Sequence, residues 1–437
     1  MGIPFVLAKL VRRQQQSVPP FSGQGYKGEV TPMSLPFQGL RIIELGAAVA
    51  SPYCATMCAD LGAEVIKIES KRRPDNMRHA STTVPTPNGL DGGFLYNAIN
   101  RNKRGMSLDL TTREGKALFL DLVHTADAIV ENYAAGTMER LFSLGYERLR
   151  KERPDLIMVS LSGYGATGPY KDRVAYGIVL ESLAGMVQME GYKGGRPYET
   201  PITYNDYISA LHGFQLLCAA LLRRDKTGKG IAIDFSEFEE TLFLVPEGLF
   251  DWLVNRRERT RDGNHSDFIP IHGVYRCKGN DAWVAIAVAT EPQWRAFCNA
   301  IGRGDWLADG KLATREGRIA QREMLEAGVT AWTSQRTAAE ATQLLQGAGV
   351  PAGPTYQVDE ALADPHVVER EVIAKDTMHP YTKGKRVPLT PLRLDGLPRA
   401  MRRPAPTWGK DNEYVCNELL GKTVAEMERL KAANAFN

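Results

Sequence analysis

The chain has 437 residues, 43% of them hydrophobic and 24% charged, a composition typical of globular proteins. Its 54 basic and 51 acidic residues leave a net charge of +3, which argues against a protein that mainly binds nucleic acid. No apolar run reaches the roughly 18–20 residues that a membrane span requires. The six cysteines form no CxxC pair and the histidines form no HExxH motif. This predicts a cytoplasmic protein with neither a disulfide framework nor a metal site.

The first 34 residues differ from the rest of the chain and are predicted to form an N-terminal extension. They carry Lys9, Arg12 and Arg13, followed by glutamine, proline and glycine, and the first acidic residue is Glu29. A basic and acid-poor segment is typical of a mitochondrial presequence. The alternative is a segment that precedes the true start codon.

From Gly39 onwards, short apolar segments alternate with helical ones. Strands are predicted at 40–45, 65–69, 105–110, 128–131 and 156–160, and helices at 52–61 and 114–125. Strands separated by helices of this length predict an α/β fold with a doubly wound, parallel, Rossmann-like sheet. Ligands of such sheets bind at the carboxyl ends of the strands, where the strand order reverses.

Asp206 precedes a long apolar helical segment, which ends near Gly228. An acidic residue in this position is interpreted as the helix N-cap. The helix dipole and the free N–H groups are expected to keep its carboxylate anionic, and an anionic carboxylate is a nucleophile.

The pattern changes after Phe235. A helix is predicted at 237–255, then strands at 273–276 and 283–289, helices at 291–302 and 317–333, and a last helix at 423–434. The predicted organisation is a large α/β domain (35–237), a linker (238–262), a small α+β domain (263–349), a linker (350–385), and a C-terminal return to the large domain (386–437).

Several motifs in a fixed order carry a resemblance to a known family. They are Gly39 with Gly46 and Pro52, then 61–69, 100–104, 130–133, 162–169, the segment around Asp206, 226–230 and 347–353. From about residue 36 to the C-terminus, the chain resembles the family III CoA-transferases (CaiB/BaiF, similar to formyl-CoA transferase). Its second half looks most like the subunits of benzylsuccinate CoA-transferase.

The resemblance implies an enzyme that moves CoA from a donor thioester, with succinyl-CoA as the expected donor, to a carboxylic acid. Asp206 would be the covalent nucleophile, passing through a mixed anhydride and an aspartyl-CoA thioester. CoA and acyl-CoA would be substrates, with no prosthetic group. The implied CoA contacts are Ala48, Val49, Ala50, Arg104, Leu108, Asn132, Tyr133, Arg140 and Arg173. Arg101 and Lys103 are interpreted either as phosphate contacts or as part of a solvated basic turn.

The resemblance also implies an interlocked dimer, with a heteromer of homologous subunits as the alternative. The acceptor is interpreted as benzylsuccinate or a C4–C5 dicarboxylic acid. Two other functions remain open: an α-methylacyl-CoA racemase, and a non-catalytic acyl-CoA-binding subunit. Such a racemase carries a histidine in the region corresponding to 173–177, where this chain has none. Asp206 argues against a non-catalytic subunit.

Overall fold

A computed structural model of the protein describes residues 35–80, 83–397 and 399–437. The predicted extension at 1–34 lies outside these residues. The described residues form two compact units. The first contains residues up to Val187, then Glu199–Arg257 and Glu371–Asn437, and the second contains Gln188–Tyr198 and Glu258–Arg370. Gln188–Tyr198 therefore packs with the second unit, although it lies within the range predicted for the large domain.

The first unit is built on a six-stranded sheet in which every neighbouring pair of strands is parallel. Its strands are β1 (Arg41–Leu45), β2 (Glu64–Glu69), β3 (Arg104–Ser107), β4 (Ala128–Glu131), β5 (Ile157–Ser162) and β6 (Ile231–Ser236). Their order across the sheet is β3-β2-β1-β4-β5-β6. The predicted α/β fold with a parallel sheet is confirmed, and the strand order reverses between β1 and β4.

Helices connect the strands. Up to residue 255 they are α1 (Ala50–Asp60), α2 (Phe94–Ile99), α3 (Arg113–Val123), α4 (Thr137–Phe142), α5 (Tyr146–Glu152), α6 (Gly177–Leu183), α7 (Met186–Met189), α8 (Tyr204–Thr227), α9 (Glu237–Phe243) and α10 (Pro246–Asn255), with a 3₁₀ turn at Asn76–Arg78. The single helix predicted for 237–255 is thus two helices. Pro246 is the first residue of α10, and a proline disfavours helical geometry in the residue before it.

The sheet is buried on both faces because its strands carry apolar side chains in both directions. Ile42 packs in the core beneath α1 and α8, together with Cys54 and Leu217. The next residue, Ile43, packs in a second core on the opposite face, together with Leu118 of α3. Since successive side chains of a strand point to opposite faces, this strand stabilises both layers of helices, as a doubly wound sheet requires.

The second unit contains a three-stranded antiparallel sheet of order β7-β8-β9. Its strands are β7 (Ile271–Arg276), β8 (Trp283–Val288) and β9 (Ala352–Pro354). Its helices are α11 (Glu291–Ile301), α12 (Gly304–Ala308), α13 (Arg315–Ala320), α14 (Arg322–Thr333), α15 (Ala338–Gly347), α16 (Val358–Ala363) and α17 (Pro365–Glu369), with a 3₁₀ turn at Gly310–Leu312. Trp294 and Trp306 stack within its core, 5.9 Å between ring centroids.

The C-terminal segment belongs to the first unit. It forms an antiparallel pair, β10 (Ile373–Lys375) with β11 (Arg386–Pro388), then a π-helical turn (Tyr414–Leu419) and helix α18 (Val424–Ala432). Four strands were not expected from the sequence: β6, and the three-residue strands β9, β10 and β11. Among the helices of the described residues, none combines the length and apolar character needed to cross a membrane.

Candidate active site

A cavity of about 570 Å³ opens at the carboxyl edge of the parallel sheet in the first unit. The residue that immediately follows each of the six strands contributes to its lining: Gly46, Ser70, Leu108, Asn132, Gly163 and Glu237. The cavity therefore lies where ligands of doubly wound sheets bind, and its volume is within the range of small-molecule sites.

The turn between β1 and α1 forms one wall of the cavity and is fixed by two side chains. Asn132 clamps Ala47 by accepting a hydrogen bond from its N–H (3.0 Å) and donating one to its carbonyl oxygen (2.8 Å). Ala48 has a left-handed backbone (φ 62°), and its N–H donates to Asp75 Oδ1 at 3.0 Å. A Cβ at Gly46 would lie 2.3 Å from Ser51 Oγ. Glycine is therefore required there.

Beneath this turn lies a fully buried network of charges. Lys67 Nζ donates to Glu44 Oε1 (2.8 Å) and to the Gly46 carbonyl oxygen (2.7 Å), and lies 3.1 Å from Asp75 Oδ2. Lys103 Nζ contacts the other oxygen of Glu44 at 2.9 Å. Burial lowers the pKa of Lys103 to about 8, although Glu44 opposes the shift. The turn that forms the cavity wall is thus tied to a balanced set of buried ions.

The cavity brings together most of the residues predicted for the site. Those that line it are Ala48, Leu108, Asn132, Tyr133, Arg173 and Asp206. Tyr133 is held by its N–H, which donates to Glu131 Oε2 at 2.7 Å. The Asn132 amide binds the Ala47 backbone and so supports the cavity wall. That these six residues contact CoA or acyl-CoA remains a prediction.

Four predicted contacts lie outside the cavity lining. Val49 and Ala50 are 5% and 1% exposed, at the start of α1. The Arg104 guanidinium donates to Glu64 and Asp411 (2.9 and 3.1 Å). Arg140 lies on the exposed side of α4, although its neighbours in that helix reach the cavity.

The basic segment before β3 is not a solvated turn. Arg101 is 2% exposed and pairs with Asp60 at 2.5 Å, and Lys103 is fully buried on Glu44. Both interpretations offered for these residues are wrong, because their charges are neutralised inside the protein.

Exposed cations on other segments line the cavity instead. Arg72 pairs with Asp109 at 2.6 Å. Arg73, Lys171 and Arg173 also line the cavity, and none of the three takes part in an ion pair within the part of the chain that the structure describes. The Arg173 guanidinium lies 3.6 Å from the centroid of the Tyr170 ring. These three cations are suited to binding phosphate or carboxylate groups.

Asp206 is the third residue of α8, whose N-cap is Thr203. The prediction that Asp206 is itself the N-cap is wrong by one helical turn. Asp206 nevertheless lies in the first turn, and its side chain faces the cavity. It is therefore placed both near the positive end of the helix dipole and at the surface that a ligand would contact.

A second carboxyl group holds the start of α8. Glu181 of α6 is 1% exposed, and its Oε1 accepts a hydrogen bond from the Tyr204 N–H at 2.8 Å. Burial and, to a smaller extent, the charge of Glu181 raise the pKa of Asp206 to about 6, although a hydrogen bond from Thr203 opposes the shift. Burial and the charge of Glu181 thus outweigh the favourable effect of the helix start on this pKa. Asp206 is still mainly ionised at neutral pH.

Sequence reasoning missed Glu181 and Glu237. Glu237 begins α9, directly after β6, and is 8% exposed. Its position directly after an apolar segment is a signal in the sequence. The residue after each of the other five strands of the sheet also lines the cavity. Glu181 has no such signal, because its contact with α8 depends on how two helices pack.

Asp206 and Glu181 together predict a specific pH dependence. A carboxylate nucleophile is lost on protonation, so we expect the rate of its reaction to fall as the pH falls through about 6. Glu181→Gln keeps an acceptor for the Tyr204 N–H but removes the negative charge. This change should lower the pKa of Asp206 and move the acidic limb of the pH–rate profile to lower pH.

Glu239→Gln is the matched control, since Glu239 is exposed on α9 and does not line the cavity. Its profile should coincide with that of the unmodified protein. An acidic limb that stays in place in Glu181→Gln would show that Glu181 does not set the charge of Asp206.

Within the described residues, no group of three or more His, Cys, Asp or Glu side chains is arranged to hold a metal ion.

Known proteins resemble this chain over nearly its whole length. It is 33% identical, over 94% of its residues, to a protein of Mycobacterium tuberculosis named as a probable CoA-transferase, but spans only 51% of that relative. It is 30% identical to the succinyl-CoA–D-citramalate CoA-transferase of Chloroflexus aurantiacus, covering 91% of this chain and 97% of the relative. It is also 30% identical to the beta subunit of succinyl-CoA–L-malate CoA-transferase from the same organism, covering 92% and 98%.

Among solved structures, a CaiB/BaiF family protein from Brucella suis superposes with a TM-score of 0.79 at 28% identity, covering 88% of this chain and all of that one. The named acceptors of the two Chloroflexus relatives are dicarboxylates, so the predicted likeness to benzylsuccinate CoA-transferase subunits is not supported. Residues 37–412 match the family described as CoA-transferase family III. The chain belongs to CoA-transferase family III.

Proposed function

We propose that this protein transfers CoA from succinyl-CoA to a C4–C5 dicarboxylic acid, with Asp206 as the nucleophile. The observation that carries the proposal is the Asp206 carboxyl group. It lines the cavity at the carboxyl edge of the sheet, and no ion pair within the described residues neutralises it. Keeping a half-buried carboxylate without a cation costs free energy, and groups of this kind are concentrated at functional sites.

The proposed reaction needs only carboxylates and the thiol of CoA. Asp206 attacks the carbonyl carbon of the donor thioester, and the thiolate leaves, giving a mixed anhydride. The thiolate then attacks the aspartyl carbonyl carbon, releasing succinate and forming an aspartyl-CoA thioester. The acceptor carboxylate repeats the two steps in reverse order. Each step exchanges one activated acyl group for another of similar energy, so no external energy source is required.

The charge of the cavity supports substrates with several negative groups. Arg73, Lys171 and Arg173 are cations without an ionic partner in the described residues. They would bind the phosphates of CoA and the second carboxylate that succinate and the proposed acceptors share. The names of the two Chloroflexus relatives support the same donor and class of acceptor.

A panel of acceptors tests this proposal. The purified protein is incubated with succinyl-CoA and single acids, including malate, citramalate, mesaconate, glutarate, benzylsuccinate and a monocarboxylate of equal length. We expect new acyl-CoA products from the C4–C5 dicarboxylates and little or none from the monocarboxylate. Equal rates with both classes would contradict the proposed specificity.

The same assay run in deuterium oxide separates the alternative functions. Deuterium at the α-carbon of a branched acyl-CoA, without transfer, would indicate a racemase. Binding without either reaction would indicate a non-catalytic subunit.

We also propose that the chain forms a dimer, interlocked with a second copy or with a homologous subunit. Support comes from α9 and α10, which leave a group of large apolar side chains exposed: Phe243, Phe250, Trp252, Leu253 and Val254. A patch of this kind is typical of a surface that another protein covers. We expect light scattering to give the mass of a dimer that persists on dilution to micromolar concentration. A monomeric mass would contradict the homodimer.

A further inference from the structure

Glu237 shares the cavity with Asp206 but has no part in the reaction proposed above. It is the first residue of α9, and its side chain is 8% exposed. Helix α9 packs against both α6 and α8, the two helices that carry Glu181 and Asp206. The Glu237 side chain lines the cavity together with that of Asp206.

Glu237 has a negatively charged neighbour and no cation paired with it. From α8 it faces Asp206, and burial together with that charge raises the pKa of Glu237 well above its ordinary value. Glu240, one turn further along α9, is already paired with His212 at 2.7 Å. No ion pair within the described residues includes Glu237.

The other charged groups that border the site do not change this balance. Glu181 on α6 adds negative charge next to Asp206. Lys171 and Arg173 line the same cavity, but their side chains are exposed and make no ion pair with either carboxyl group.

When two carboxyl groups share a buried site without a cation, the pKa of the more deeply buried one is strongly raised, so it keeps its proton. Glu237 is the more deeply buried of the two, since Asp206 is only half-buried. Asp206 also lies in the first turn of a 24-residue helix, whose dipole favours its anionic form. The proton therefore stays on Glu237 at neutral pH.

We propose that Glu237 is a neutral carboxylic acid that donates a hydrogen bond to the carbonyl oxygen of the acyl group attacked by Asp206. The proposal rests on the transfer function proposed above. When the Asp206 oxygen bonds to the thioester carbon, the electron pair of the C=O bond moves to the carbonyl oxygen. That oxygen accepts the hydrogen bond from Glu237. The C=O bond then re-forms, the C–S bond breaks, and the thiolate leaves with its electron pair. Glu237 keeps its proton throughout.

Substitutions at Glu237 separate a hydrogen-bond donor from a charged group. Glu237→Gln keeps a neutral donor, so we expect transfer at neutral pH within about tenfold of the unmodified protein. Glu237→Leu keeps the size but removes the donor, and should slow transfer by about 100-fold or more, as loss of one oxyanion donor does. Deprotonation of Glu237 should slow the unmodified enzyme at alkaline pH, and this alkaline limb should be missing in Glu237→Gln.

Glu239→Gln is again the matched control, with an unchanged alkaline limb. Circular dichroism of each variant shows that the fold is kept, and Glu237→Gln carries the test if Glu237→Leu does not fold. A loss of more than about 100-fold in Glu237→Gln, or an alkaline limb that remains in this variant, would overturn the proposal.

Infrared difference spectroscopy of the protein without substrate gives a readout that does not depend on transfer. At neutral pH, the unmodified protein should show the C=O band of a protonated carboxyl group. This band should be absent from Glu237→Gln and present in Glu239→Gln. If the unmodified protein transfers CoA but lacks this band, the proposed role of Glu237 is overturned while the transfer function stands. Protein that shows the band but transfers no CoA to any acceptor would contradict the transfer function, and with it the role of Glu237 as a donor.

Discussion

Asp206→Asn should abolish CoA transfer while leaving the fold and CoA binding nearly unchanged. A neutral amide can form neither the mixed anhydride nor the aspartyl thioester. We therefore expect transfer to fall by at least about 1,000-fold, equivalent to about 4 kcal/mol in the barrier.

The structure explains why the fold should survive this change. Asp206 is not the N-cap of α8, which is Thr203, and the Tyr204 N–H at the helix start is held by Glu181 Oε1 at 2.8 Å. Loss of its favourable interaction with the helix dipole costs about 0.3–1 kcal/mol. The change also removes the repulsion between Asp206 and the carboxylate of Glu181. These opposing effects leave the free energy of unfolding close to that of the unmodified protein.

Asp172→Asn is the matched control, because Asp172 lies between two cavity residues but is exposed and does not line the cavity. It should transfer CoA at the normal rate. Hydroxylamine added to protein and succinyl-CoA should modify Asp206, as mass spectrometry of peptides would show. If Asp206→Asn keeps more than about a tenth of the activity, a loss below about 1.4 kcal/mol, the nucleophile is another residue.

Most of the parallel sheet could be predicted because its central strands are short apolar segments that are buried on both faces, as Ile42 and Ile43 show. The edge strand β6 was not predicted, and its side chains are only half-buried or exposed. The position of the cavity followed from the same pattern, since parallel strands end at one edge of a sheet. The short strands β9 and β10 could not be predicted in this way, because three residues are too few to show a period.

The side chains of the site were harder to predict than its position. Arg104 looked like a phosphate contact, yet it pairs with Asp411, 307 residues further along the chain. A contact over that separation leaves no trace in local sequence. The raised pKa of Asp206 likewise depends on burial and on Glu181, which only the packing of α6 against α8 brings close. Local sequence shows only the favourable effect of the helix start on the carboxylate.

Lys67→Met should cause a large loss of stability, because it leaves buried carboxylates without their cation. Lys67 is fully buried between Glu44 and Asp75, and the favourable charges of these groups raise its pKa despite its burial. Breaking a buried ion pair by removing one partner costs about 3–5 kcal/mol. Glu44 would keep Lys103, but Asp75 would lose its only ion-pair partner within the described residues.

This loss should also reach the cavity. Asp75 holds the Ala48 N–H, and Lys67 holds the Gly46 carbonyl oxygen, so the turn that forms one wall loses a support on each side. We expect urea unfolding, followed by circular dichroism, to shift to a lower midpoint by an amount equivalent to about 3–5 kcal/mol. CoA binding should weaken in the protein that remains folded.

Lys151→Met removes the same kind of charge from an exposed position on α5 and should change the free energy of unfolding by less than about 0.5 kcal/mol. If Lys67→Met unfolds at the same midpoint as this control, then Glu44 and Asp75 are protonated or reached by water in the variant. In that case, the ion network would fix the conformation of the turn without adding to the free energy of unfolding. Because the turn is a wall of the cavity, weaker CoA binding with unchanged stability would identify that outcome.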